Sequence, residues 1–112
     1  MDSTLKIFAA LSDKTRLRIF LLLLNGDICV CELVSILAMK QARISRMMKT
    51  LSGAGLVVSE RHGKWVVYSV SPQARKTGII RALPDNIKIA AADLKKLKKC
   101  RKDNIRASCR KF

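Results

Sequence analysis

The chain has 112 residues, 23 of them Lys or Arg against eight Asp or Glu, for a formal net charge of +15. That length holds one domain, and at 49% apolar residues a packed core is affordable, although chains this short often gain stability from a partner subunit. A field of one sign and this strength draws polyanions, nucleic acid before acidic membrane; a surface that merely solubilised the chain would not require a single sign.

The first element is a short helix over residues 4 to 11, with Leu5, Phe8 and Leu11 on a common face. Ser12 and Asp13 are cap residues for a strongly apolar helix from Lys14 to Leu24, which Asn25-Gly26 stops. A two-turn helix is expected over Cys29 to Leu37 and a longer one over Gln41 to Ala54, with a brief turn at Ala38-Met39-Lys40 between them. Two strands follow, Leu56 to Glu60 and Trp65 to Val70, joined as a hairpin by a tight turn at His62-Gly63. Helix resumes after the cap and first-turn proline Ser71-Pro72. Gly78 and Pro84 interrupt it, and a second start at Asp85 or Asn86 runs to Cys100 with Ile87, Ala91, Leu94 and Leu97 on one stripe. The pattern predicts a mainly α fold with a small β-hairpin, in the order α-α-α-α-β-β-α. Residues 1–94 form the folded unit and residues 95–112 a basic tail, which holds nine basic residues and one acid, +8 of the +15.

Two short helices joined by a tight turn and followed by a hairpin make a winged helix-turn-helix. At about 100° per residue, Ile44, Met47, Met48 and Leu51 share one side of the second helix, and Arg43, Ser45, Arg46 and Lys49 fall across the other. One face can pack while the opposite face presents groups suited to base edges and phosphates of double-stranded DNA. Lys40 and Gln41 stand at the end of the helix that enters the groove, and the basic hairpin tip Arg61-His62-Gly63-Lys64 reaches along the backbone. The plain alternative for each of these residues is a solvated charged face.

The segment Ala10-Leu11-Ser12-Asp13-Lys14-Thr15-Arg16-Leu17-Arg18-Ile19 resembles the entry motif of the arsenic-repressor (ArsR/SmtB) family, with Lys14 where proline is usual. Ile28-Cys29-Val30-Cys31-Glu32-Leu33 resembles its metal box. Gln41 to Leu51 resembles its recognition helix, with Met47 where histidine is common, and Gly55-Leu56-Val57 and Gly63 to Tyr68 resemble its wing. The resemblance spans residues 5 to 72. It implies a repressor, not an enzyme, that binds operator DNA as a homodimer through its N- and C-terminal helices, with Leu5, Phe8, Ile87 and Leu94 among the interface residues.

No N-terminal stretch has signal-peptide form, and the longest apolar run, Ile19 to Leu24, is too short for a bilayer, so a cytoplasmic protein without a membrane partner is expected. There the four cysteines, Cys29, Cys31, Cys100 and Cys109, serve metals or redox sensing more often than structural disulfides. Cys29 is an N-cap with Glu32 in the reciprocal capping-box position, and Cys31 is two residues on. Inside a regular helix those two side chains point about 200° apart, so both reach one ion only if the first turn is irregular. Thiolate is favoured at a helix N-terminus and selects soft metals; the bland reading is a small buried hydrophobe. Family members that use this box for arsenic often carry a third cysteine where this chain has Val34. The resemblance therefore implies As(III) or Sb(III) held either by Cys29 and Cys31 alone or with Cys100 or Cys109, of the same or the partner subunit, completing the set. Four thiolates would equally suit Cd(II), Pb(II) or zinc. A redox- or sulfide-sensing Cys100–Cys109 pair, a DNA or RNA binder with no sensing role, and a thiol-disulfide enzyme are the remaining alternatives. The family's other site, of Asp, His and Glu on the C-terminal helix, has no support in a chain whose one histidine is His62.

Overall fold

The computed structural model describes residues 2–89 and 91–106. Its elements are α1 (Asp2–Leu11), α2 (Lys14–Leu23), β1 (Ile28–Cys29), α3 (Val30–Leu37), α4 (Gln41–Gly53), β2 (Val57–His62), β3 (Trp65–Val70), α5 (Pro72–Lys76), α6 (Gly78–Asn86) and α7 (Ala91–Lys102).

Helix α2 is the centre of the packing. The Asp13 carboxylate accepts the Arg16 N–H at 3.0 Å to start it. The Arg16 Nε donates to the Ala10 carbonyl at 2.7 Å, satisfying an orphan acceptor at the end of α1. All five residues from Ile19 to Leu23 are buried, so this half of α2 is covered all round, as its unbroken apolar run requires. Leu33 and Ile36 of α3, Ile44, Met48 and Leu51 of α4, and Leu56, Val57 and Val70 at the base of the hairpin close around it.

The helix-turn-helix follows the expected course. Ala38 takes the left-handed conformation, φ 54°, and its N–H bonds the Val34 carbonyl at 2.9 Å, ending α3 and turning the chain toward α4. The hairpin turns one residue later than expected, with His62 opposite Trp65 and Gly63-Lys64 between them. Gly63 sits at φ 65°, which suits a residue without Cβ.

Two features correct the sequence reading. First, the sheet has three strands in the order β1-β3-β2, with Ile28 opposite Tyr68 and Cys29 opposite Val67. A two-residue strand leaves no alternation to read, and here it is an edge that exists only by pairing with β3. Second, α6 runs through Pro84 to Asn86, and the last helix starts at Ala91 instead of Asp85 or Asn86. Pro84 lies in the final turn, where its missing N–H forfeits one bond near an end that is closing anyway. Ile87 thus belongs to the connection before α7, not to the stripe of Leu94 and Leu97.

The boundary drawn between residues 94 and 95 falls inside α7, whose Leu97 and Cys100 are buried against α2 and α3. Among the described residues no helix is long and apolar enough to cross a membrane.

Candidate metal centre and nucleic-acid interface

Cys29 ends β1 and caps α3. Its backbone is extended, at φ −76° and ψ 149°, whereas Cys31 is already helical. That change of backbone supplies the irregularity that two gathered sulfurs need, and the Sγ atoms lie 3.0 Å apart with no unwinding of α3. Two thiolates on one tetrahedral ion with bonds of ~2.3 Å sit about 3.8 Å apart, within an ångström of the separation here. The donor set therefore fits a soft ion.

The Glu32 carboxylate, 3% exposed, accepts the Cys29 N–H at 2.8 Å and so holds the first of the pair from behind. The same oxygen receives Arg106, through Nη2 at 2.7 Å and Nε at 3.2 Å. Nη2 of Arg106 also reaches the Asp27 carbonyl at 3.5 Å, and Arg101 donates to the Asn25 carbonyl at 3.3 Å. Gly26, at φ 126°, lets Arg101 approach: a Cβ there would come within 3.1 Å of its Nη2. Arg101 and Arg106 thus bond Asn25 and Asp27 on either side of Gly26, in the loop that leads into β1.

Cys100 is buried on the inner face of α7, and burial pushes its thiol up, with the side-chain hydrogen bond to Ser35 opposing the shift. No three His, Cys, Asp or Glu side chains gather as a metal-binding group among the described residues, so Cys100 does not join Cys29 and Cys31 in one cluster. Cys109 lies outside the described residues.

A second long-range tie fixes the other side of α7. Arg18 of α2 forks onto Asp93, Nε to Oδ2 at 2.9 Å and Nη2 to Oδ1 at 2.8 Å. The Arg18 hydrogen bond holds the Asp93 carboxyl below its usual range, against the effect of burial.

On α4 the two faces divide as helix arithmetic requires. Ile44, Met48 and Leu51 are buried and Met47 is half-buried, while Gln41, Arg43, Ser45, Arg46 and Lys49 are exposed, with Lys40 exposed at the N-cap. At the wing, Arg61, His62 and Lys64 are exposed, and His62 Nε2 lies 3.6 Å from a Glu60 carboxylate oxygen.

Residues 13–59, from the cap of α2 into β2, match the family model described as bacterial regulatory protein, arsR family. The Escherichia coli arsenical resistance operon repressor is 44% identical over 69 residues, 61% of this chain and 59% of that protein. A Staphylococcus aureus cadmium resistance transcriptional regulatory protein, a CadC homolog, is 32% identical over 87 residues, 77% of this chain and 72% of its own length. The chain belongs to the arsR family of bacterial regulatory proteins. Among solved structures, reduced HlyU from Vibrio cholerae superposes with a TM-score of 0.69 at 26% identity, over 78% of this chain and 90% of that one. The cadmium metal-sensor CmtR from Mycobacterium tuberculosis gives 0.59 at 29% identity, over 77% and 84%. The arsR-family match takes in Cys29 and Cys31, α3 and α4, and stops before the C-terminal helices. It is a family of regulators and not of enzymes, which sets aside the thiol-disulfide enzyme. The two residues that reasoning from sequence missed, Arg106 and Arg18, make their contacts across 74 and 75 residues of chain; the one local signal was a carboxylate, Glu32, inside the apolar run of α3.

Proposed function

We propose that this arsR-family chain is a metalloid-responsive repressor. It binds operator DNA as a homodimer and lets go when As(III) or Sb(III) is held by Cys29, Cys31 and a cysteine of the C-terminal segment, Cys100 or Cys109. The observation that carries the reading is the pair of sulfurs 3.0 Å apart at the point where β1 becomes α3. Cys29 pairs with the root of the wing and Cys31 rides on the helix that braces α4, so both DNA-contacting parts are anchored at the site. The reading helix offers Lys40, Gln41, Arg43, Ser45, Arg46 and Lys49 to the groove, and Arg61, His62 and Lys64 extend the contact along the backbone. The cationic segment from residue 95 onward adds phosphate contacts without sequence preference.

Dimerisation is supported by the exposed apolar side chains of Leu5 (57%), Phe8 (53%) and Ile79 (42%). An apolar cleft of ≈ 390 Å³ lined by Leu21, Leu24, Pro84, Ile87, Ile89 and Leu94 extends the same kind of surface. Cd(II) or Pb(II) as inducer is the second reading, favoured by the cadmium-resistance relative.

The test measures operator affinity of the wild type and of Cys29→Ser/Cys31→Ser under reducing conditions, with arsenite, antimonite, cadmium and lead in turn, on operator DNA selected from a random pool. Arsenite or antimonite should weaken the wild type at least about tenfold, some 1.4 kcal/mol of coupling, and leave the double variant bound. A response to cadmium or lead alone establishes the second reading, and no response to any ion refutes sensing through these thiols.

A further inference from the structure

On the DNA-binding repressor reading above, we infer that Arg106 is a positioning residue for operator binding. Clamped on Glu32, it straps the end of α7 to β1 and so fixes the wing against the C-terminal helix, without itself touching DNA.

The wing needs such a fastening. Strands β2 and β3 hold each other over six residues each, but β1, on the other edge of β3, pairs over two, Ile28 opposite Tyr68 and Cys29 opposite Val67. So short an edge strand has little stability of its own. Contacts from the end of the chain converge around it. Arg106 donates to Glu32 Oε1 through Nη2 at 2.7 Å and Nε at 3.2 Å, and that same oxygen accepts the Cys29 N–H at 2.8 Å. Nη2 also reaches the carbonyl of Asp27, the residue before β1, and Arg101 donates to the Asn25 carbonyl. Both residues of β1 are thus bracketed by the strap.

Capping alone does not call for Arg106. A carboxylate at a helix N-terminus is already favoured by the helix dipole, and the Cys29 N–H is the bond that the cap requires. The guanidinium adds a tie across 74 residues of chain. With the Glu32 side chain 4% exposed, this is a charge-assisted bond largely out of water, the strong kind.

The other end of the strap is firm. Leu97 and Cys100 bury α7 in the core, and Arg18 forks onto Asp93 in its first turn. Arg106 and Asp27 also line one cleft of ≈ 660 Å³ with His62, Lys64 and Trp65, so the strap lies against the wing. With the C-terminal helix in the proposed dimer interface, the angle between α7 and the wing decides whether both wings meet their phosphates at once.

The experiment measures operator affinity of the purified full chain, with no metal added, on DNA selected from a random pool. The variants are Arg106→Gln, Glu32→Gln, Arg61→Ala/Lys64→Ala, and Arg106→Gln in that last background. Glu32→Gln is decisive because the two explanations give opposite signs. Removing an acid favours DNA by charge alone, whereas loss of the strap weakens binding although the Gln oxygen can still cap Cys29. We expect Glu32→Gln and Arg106→Gln each to bind at least about fivefold more weakly, and Arg106→Gln to cost little more once the wing cations are gone. Native-state amide exchange should quicken at β1–β3 in both variants and stay unchanged at β2–β3. Unchanged or tighter binding by Glu32→Gln overturns the strap and leaves the repressor reading standing. A loss in Arg106→Gln that simply adds to that of the wing variant makes Arg106 a phosphate contact and overturns positioning. If Arg106→Gln does not fold, Arg106→Lys, which keeps the charge and not the fork, takes its place in the comparison. A wild type that selects no DNA overturns the repressor reading and the strap with it.

Discussion

Phe20→Ala is expected to remove about 3–5 kcal/mol of stability, the largest loss from any single truncation here. Phe20 is fully buried in the C-terminal half of α2, the helix on which α1, α4, α7 and β3 pack, so truncation leaves a cavity in the centre of the core. A domain of this size has only about 5–15 kcal/mol in total. Denaturant unfolding should therefore show a large fall in midpoint with little change in slope. Phe8→Ala is the control: Phe8 is half exposed, and in the proposed homodimer its truncation should give an effect that depends on protein concentration. A Phe20→Ala protein that unfolds within 1 kcal/mol of wild type would contradict the central place given to α2.

Asp93→Asn is expected to cost about 2 kcal/mol at neutral pH. Breaking a buried ion pair usually costs more, about 3–5 kcal/mol, but the abandoned Arg18 is about one-third exposed and can be rehydrated. The sign of the pH dependence follows from the shift. The Arg18 hydrogen bond lowers the folded pKa of Asp93 below its unfolded value, so the stability it contributes is complete above the unfolded value, near 4, and is lost as pH falls through the folded one. Unfolding of both proteins from pH 7 to pH 3 should show the difference constant down to about pH 4 and narrowing below it. A difference that persists undiminished at pH 3 would mean that Asp93 acts by shape and not by charge.

How far the molecule could be read from its residues depended on how local each cause was. Asp13, the Ala38–Lys40 turn, the two faces of α4 and Glu32 as capping partner are all written within four residues of where they act, and all were legible. That Cys29 and Cys31 bring their sulfurs together needs the extended backbone of Cys29, which the sequence pattern alone does not show. Strand β1 was not legible, because two residues carry no period and its partner lies on the far side of the helix-turn-helix. Pro84 was read as a break because proline in mid-helix usually is one; its place in the last turn of α6 depends on where the helix closes. The Arg18–Asp93 and Arg106–Glu32 contacts are pure tertiary structure. Before the fold is known, any of 23 cations could claim those two carboxylates.

Strand β1 also determines where the molecule breathes. Ile28 meets Tyr68 across about 40 residues of chain, whereas the β2–β3 hairpin closes over two. Closing the longer loop costs on the order of 3 kcal/mol in chain entropy by the logarithmic rule, set against two residues of ladder. The hairpin repays its turn over six residues on each strand. The edge strand is therefore the first part of the sheet to detach, in a partial opening that leaves α2 and the hairpin standing. Native-state amide exchange should find the β1–β3 amides opening at lower free energy than those of β2–β3. On the proposed sensing role, Cys29 would meet an ion on an edge segment that opens without the whole domain unfolding, restrained by the Arg101 and Arg106 contacts to Asn25 and Asp27.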